Sequence, residues 1–295
     1  RPEFNYSLAG NGCVGDTVAA QAPENTWREL TMLKVDRLHV TFNPGTPIEN
    51  KALQGLSLEI PSGRFVTVIG SNGAGKSTLL NAISGDLFVD QGRIQVDEQD
   101  VTRMPVWDRA THVARVFQDP MAGTCEDLTI EEKLSLAMSR GAPRGLRRAV
   151  RKSMRETFRE RLASLGLGLE SRLTDRIGLL SGGQRQAVSL LMAALQPSRI
   201  LLLDEHTAAL DPRTAQFVLD LTCDIVAQYK LTTLMVTHSM KQALEVGDRT
   251  VMLHQGRVVL DVEGHQRANL DVPQLLQMFE RVQGETVSDD TLLLG

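Results

Sequence analysis

Nine consecutive residues, Gly70-Ser71-Asn72-Gly73-Ala74-Gly75-Lys76-Ser77-Thr78, have the composition and spacing of a phosphate cradle. Glycines let successive backbone N–H groups turn inward around phosphate oxygens, and a helix starting behind them points its positive end at the same charge. Lys76 is placed to reach the β- and γ-phosphates of a nucleoside triphosphate, and the Ser77 hydroxyl to ligate Mg²⁺. An acidic pair closes the aliphatic run Ile200-Leu201-Leu202-Leu203-Asp204-Glu205. Asp204 suits the Mg²⁺ shell, and Glu205 suits the polarisation of an attacking water. A third motif, Leu180-Ser181-Gly182-Gly183-Gln184, opens an Ala- and Leu-rich stretch and offers a second anion cradle at a helix start. Alone it reads as a helix cap; beside the other two motifs it reads as a phosphate reader. Two cradles exceed the needs of one nucleotide, which points to a site shared between two chains.

These motifs need a rigid frame, and the apolar patterning supplies one. Phe65–Ile69 reads as a short buried strand feeding the first cradle, with a helix over Lys76–Ile83 leaving it. Alternation at Leu33, Val35, Leu38, Val40 and Phe42 predicts a half-buried strand, followed by a second over Ala52–Ile60. Ile94–Val96, His112–Phe117, Ile200–Leu203 and Thr232–Val236 are further strands. Asp248–His254 and Arg257–Leu260 flank Gln255-Gly256 as a hairpin. Apolar runs of four to five residues alternating with helical stretches indicate a parallel sheet covered on both faces. Between about 119 and 179 the strand signal disappears. There Leu146, Val150, Met154, Phe158 and Leu162 recur at helical spacing among Arg147, Arg148, Arg151, Lys152, Arg155, Arg159 and Arg161. That stripe reads either as a solvated face or as a surface for acidic headgroups or an acidic partner.

In this order the motifs resemble the ATP-binding-cassette ATPases, from about Val35 to Val262. The resemblance implies an α/β P-loop NTPase (RecA-like) core with an antiparallel β subdomain and an inserted α-helical subdomain. It divides the chain into an N-terminal extension or cloning remnant over 1–31, expected to be poorly ordered, and an ATP-binding core over 32–118 and 180–263. The helical signature subdomain spans 119–179, and a C-terminal helix and tail 264–295. The cofactors implied are ATP and Mg²⁺. By the same resemblance Gln118 senses Mg²⁺ and the lytic water, His238 contacts the γ-phosphate, and Phe42 stacks on adenine. Residues Ser71 to Thr78 hold the phosphates, Ser181, Gly182, Gly183 and Gln184 form the signature, and Asp211 ends a loop crossing the dimer interface. Glu205, His238 and Gln118 are thus the catalytic set, and Ser77, Gln118 and Asp204 the metal set. The chain departs from the family at His206, where Pro often follows the catalytic Glu, and at Ala208, where Ser is frequent. His39, His112, His254 and His265 have no ligand partners nearby in sequence and read as core or surface residues.

Composition narrows the partners. The chain has 295 residues, 42% hydrophobic and 23% charged, with a formal charge of -4 and only 4% aromatics, which disfavours a nucleic-acid binder. Cys13, Cys125 and Cys223 are widely spaced and odd in number, as expected of a reduced protein. The longest apolar run, Ala187–Leu195, falls far short of a membrane span. One motif set, no span and a helical segment right after Gln118 resemble bacterial importer ATPases. Such a subunit works as an ATP-driven homodimer on separate transmembrane permease subunits at the cytoplasmic face of the inner membrane. Phe42-Asn43-Pro44-Gly45-Thr46 and the segment Asp204–Asp211 resemble a branch paired with a small-solute binding protein, amino acids being the candidate solute. The alternatives are an exporter or envelope-remodelling ATPase and a soluble ABC ATPase. The latter is disfavoured because the chain carries neither two cassettes nor a long coiled-coil insertion.

Overall fold

The computed structural model describes residues 31–121, 125–141, 150–196 and 198–283. Residues 1–30 of the predicted N-terminal extension over 1–31, residues Ala122, Gly123 and Thr124, the stripe residues Leu146, Arg147 and Arg148, and the tail over 284–295 lie outside that set, whereas Thr31 already begins the first strand.

Strands β1 (Thr31–Phe42) and β2 (Asn50–Pro61) pair antiparallel, with Val35 opposite Leu58 and Phe42 opposite Asn50. Their inward residues Leu33, Val35, Leu56, Leu58 and Ile60 are buried at a period of two, and a register shift between Val35 and Leu38 buries Leu38 as well. Strand β3 (Phe65–Gly70), buried along its whole length, leads through the cradle into α1 (Lys76–Ser84). The chain then adds β4 (Gln91–Val96), the two-residue β5 (Gln99–Asp100), the single turn α2 (Val106–Arg109) and β6 (Val113–Val116). Helices α3 (Ile130–Met138) and α4 (Lys152–Ala163) and two 3₁₀ turns, Leu169–Ser171 and Ile177–Leu179, precede α5 (Gly182–Ala194). Then follow β7 (Ile200–Asp204), α6 (Pro212–Tyr229), β8 (Thr232–Val236) and α7 (Met240–Glu245). The hairpin β9 (Arg249–His254) and β10 (Arg257–Glu263), then α8 (Gly264–Ala268) and α9 (Val272–Gln283), complete the described chain.

Two sheets result. The smaller has the order β2-β1-β4-β5, with every pairing antiparallel. The larger has the order β10-β9-β3-β8-β7-β6 and is parallel except for β10. Buried residues of β1, β2, β3 and α1 form one core between the sheets. Those of α3, α4, α5 and α6 form a second with the opposite sheet face. Ile69, Met240, Ala243, Leu275 and Phe279 form a third beneath α9. Both faces of the parallel sheet are therefore covered, which is why β3, β7 and β8 are buried along their whole length rather than alternating.

The basic stripe is largely spoken for within the chain. Phe158 and Leu162 are buried, and Arg155 makes a bidentate pair with Glu131 at 2.6 and 2.8 Å. Arg161 donates to the Tyr229 hydroxyl and lies over its ring, and Arg159 pairs with Glu156 at 2.7 Å. Arg151 and Lys152 remain exposed. The solvated-face reading thus fits these residues better than a continuous headgroup-binding surface does.

Candidate active site

The parallel sheet presents the carboxyl ends of β3, β6, β7 and β8 side by side, and the predicted chemistry leaves from those ends. Gly70 ends β3, Gln118 lies just past β6, Asp204 ends β7 with Glu205 next, and His238 lies just past β8. A ligand crevice outside such strand ends is the general rule for open α/β sheets. Here it is a cavity of about 330 Å³ lined by Phe42, Asn72 to Thr78, Gln118, Glu205 and His238, together with Asn50 and Ala52.

The cradle holds its shape because its neighbours leave room only for glycine. Gly75 has φ +99°, and a Cβ there would lie 2.5 Å from the Ala52 carbonyl oxygen. At Gly70 a Cβ would lie 2.3 Å from the Leu253 carbonyl oxygen. The loop is thus clamped between β2 and the end of β9. Lys76 is buried, and its Nζ donates to the carbonyls of Gly70 at 2.7 Å and Ser71 at 3.1 Å, so the ammonium is held inside the loop. No side chain caps the start of α1, which leaves first-turn N–H groups for an anion. Among the described residues no group of three or more His, Cys, Asp or Glu side chains could hold a metal. Mg²⁺ is commonly bound through one or two protein ligands completed by phosphate oxygens and water, a pattern that needs no such cluster.

Opposite the cradle, Glu205 and His238 meet. His238 Nε2 lies 2.6 Å from Glu205 Oε1, with the Glu205 side chain 8% exposed and that of His238 40%. Glu205 has φ +45°, the left-handed region that a residue with a side chain seldom adopts. Such local strain concentrates at functional sites. The Glu205 N–H donates to the Val236 carbonyl at 3.0 Å, tying the β7 end to β8 and so to His238.

Not every predicted residue reaches the cavity. Asp204 is buried outside its lining, and its Oδ2 accepts from Arg115 Nη2 at 2.6 Å. Ser71 also lies outside the lining. Ser181 caps α5 in a reciprocal box with Gln184, at 3.3 and 3.1 Å. Asp211 caps α6 through the Thr214 N–H at 3.1 Å, and hydrogen bonding from Thr214 holds its carboxyl below the usual carboxylate range. These two caps adjoin one another. A Cβ on Gly183 would lie 2.3 Å from Thr214 Cγ2, and one on Gly182 would lie 3.2 Å from Leu210 Cδ2. The signature and the Asp211 loop therefore form one surface apart from the cavity. Asn50 and Ala52 went unrecognised in the sequence; the pairing of Asn50 with Phe42 brings them in, and only strand register could have revealed it.

The family model for the ABC transporter matches residues 53–208, more than half of the chain. The chain belongs to the ABC transporter family. It is 46% identical to a tyrosine transport ATP-binding protein of Clostridioides difficile, over 84% of this chain and 99% of that relative. A thiamine import ATP-binding protein of Haemophilus ducreyi is 36% identical over 69% of this chain and 90% of its own length. Among solved structures, a dimeric bacterial ABC transporter cassette superimposes with a TM-score of 0.67 at 27% identity, covering 79% of this chain and 98% of that one. This protein is thus an ATPase and an ATP-binding subunit of an ABC transporter. No helix among its described residues is long and apolar enough to cross a membrane.

The departure at His206 has a structural basis in this ABC subunit. His206 is 2% exposed, and burial pushes its imidazole pKa down to about 4. The Thr222 hydroxyl donates its single proton to the Val218 carbonyl at 2.7 Å, so at 2.9 Å it accepts from His206 Nε2–H. His206 is therefore neutral when folded and binds a proton more readily when unfolded. Stability from this site is complete above pH 6.5 and is lost as pH falls from there toward 4, by about 2 kcal/mol at pH 5. Urea unfolding at pH 7 and pH 5 should show His206→Leu losing about 2 kcal/mol less than the parent across that interval. Equal losses would contradict the assignment.

Proposed function

We propose that the chain energises a small-solute importer by hydrolysing ATP in a head-to-tail homodimer, and that the solute is an amino acid. The observation carrying the catalytic part is the convergence of the cradle, Gln118 and the Glu205–His238 pair on one cavity at four parallel strand ends. Phe42 would stack on the adenine, and Lys76 and the cradle amides would hold the β- and γ-phosphates. Glu205 would accept a hydrogen bond, and then the proton, from an attacking water, and His238 would keep the carboxylate oriented while reaching the γ-phosphate. Ser77, Asp204 and Gln118 would hold Mg²⁺, which when bound neutralises charge developing on the phosphate oxygens.

Dimerisation is supported by what the cavity lacks. Ser181–Gln184 and Asp211 share a surface away from the cradle of their own chain, so a two-fold partner could present them to the γ-phosphate. The solute class is supported by the relative named for tyrosine transport, and the import direction by the relatives named for import. A permease partner, with a solute-binding protein in the same system, follows from the same reading.

Reconstitution with the permease and binding protein tests the solute: amino acids should drive uptake and stimulate hydrolysis, and a response to thiamine alone would overturn that class. The proposed seat of the permease lies beside Gln118, Met121 and Leu128. Met121→Arg should remove most permease-stimulated hydrolysis and uptake, at least about tenfold, because it sets a charge into an apolar contact. ATP binding by the isolated subunit should be unchanged. Normal stimulation in that variant would place the contact elsewhere.

A further inference from the structure

Arg115 sits on β6, three residues before Gln118, and its side chain is 10% exposed. One guanidinium nitrogen, Nη2, donates to Asp204 Oδ2 at 2.6 Å. The other, Nη1, donates to Asn81 Oδ1 at 2.6 Å, to Asp86 Oδ2 at 3.0 Å and to Ser84 Oγ at 3.4 Å. Its Cζ lies 4.6 Å from the centre of the Phe117 ring, just past the end of β6, which restrains the group.

The positions of these partners matter more than their number. Asn81 stands four residues after Ser77 on α1, so the two share one helix face a single turn apart. Asp204 ends β7, and Gln118 follows β6. The three residues proposed to hold Mg²⁺ therefore come from three elements, and one planar cation fastens those elements together. A guanidinium suits this role because its donors are fixed in a fork, whereas a lysine ammonium would be a single mobile point charge. With Oδ2 committed to Arg115, the Asp204 carboxylate is fixed in rotation, and its other oxygen is the one available to an ion.

We infer that Arg115 is a positioning residue for the Mg²⁺ site: it ties the Asp204 carboxylate to the face of α1 that carries Ser77. This rests on the metal assignment proposed above. Outer-shell partners that orient metal ligands commonly contribute 10–100-fold to metal affinity.

The test is ATP binding by the full chain, measured first in EDTA and then during titration with Mg²⁺. Arg115→Met should keep the Mg²⁺-free affinity within about twofold of the parent and raise the half-saturating Mg²⁺ about tenfold. Asn81→Ala removes one bond of the helix arm and leaves the contacts to Ser84, Asp86 and Asp204, so it should move the midpoint the same way by a smaller factor. If Arg115→Met does not fold, Asn81→Ala decides alone. Equal losses with and without Mg²⁺, or a midpoint unchanged or lowered, would overturn the role. Asp204→Asn separates the two readings. If it leaves the midpoint unmoved, the metal assignment has failed; if it shifts the midpoint while Arg115→Met does not, only the Arg115 role has failed.

Discussion

Glu205→Gln should lower ATP turnover by about 10²–10⁴-fold, the range for removing a general base, while ATP binding survives. The substitution is isosteric, and its amide oxygen can still accept from His238, so the 2.6 Å contact and the left-handed turn can persist. What disappears is the negative charge that draws a proton from the attacking water. ATP should then remain bound long enough to hold two chains together, so light scattering of this variant with ATP should report a dimer. Adding Gly182→Asp should return it to a monomer. A Cβ at Gly182 meets only the flexible end of Leu210 at 3.2 Å, so the fold should tolerate the change. The new carboxylate would instead face phosphate charge. Parental turnover in Glu205→Gln, or a dimer indifferent to ATP and to Gly182→Asp, would refute the scheme.

Arg109→Met should be the most destabilising single change outside the site, by about 3–5 kcal/mol, because it leaves buried acceptors without their donor. Arg109 is fully buried, and burial holds its pKa below the usual arginine value. Its Nη1 donates to the carbonyls of Ala82 at 2.6 Å and Ile83 at 3.3 Å in the last turn of α1. Its Nη2 donates to those of Val101, Thr102 and Met104. A cation at a helix C-terminus is favoured by the dipole as well as by the carbonyls. The group therefore fastens the helix that starts at Lys76 to the segment following β5. Thermal unfolding should shift down by roughly 10 °C for a domain of this size. A midpoint within about 2 °C of the parent would show that the cage is dispensable.

Much of the site was legible in the sequence because its chemistry is local. A cradle of consecutive amides needs only consecutive residues, so Gly70–Thr78 announces itself wherever a strand precedes it and a helix follows. The aliphatic run ending in Asp204-Glu205 is equally self-contained, since a strand covered on both faces has no polar side to show. The capping box at Ser181 and Gln184 is local too, although the same four residues also suit a phosphate reader, and pattern alone does not separate the two.

What folding decided is what joins residues distant in sequence. Nothing in Val106-Trp107-Asp108-Arg109 distinguishes the fully buried arginine from its 71% exposed tryptophan neighbour, because the carbonyls that enclose the cation come from α1 and the chain beyond β5. The arginine stripe is legible only in part: its spacing describes a solvated basic face, and the structure adds that Glu131 and Tyr229 arrive from other helices to engage Arg155 and Arg161. The sequence by itself determined the reaction class and the strands that carry it, through motifs whose hydrogen bonds close within a few residues. The tertiary structure alone set Glu205 against His238, neutralised His206 by burial and placed Arg115 between Asn81 and Asp204. Those contacts depend on strand order and helix packing, which bring together side chains that the sequence keeps tens of residues apart.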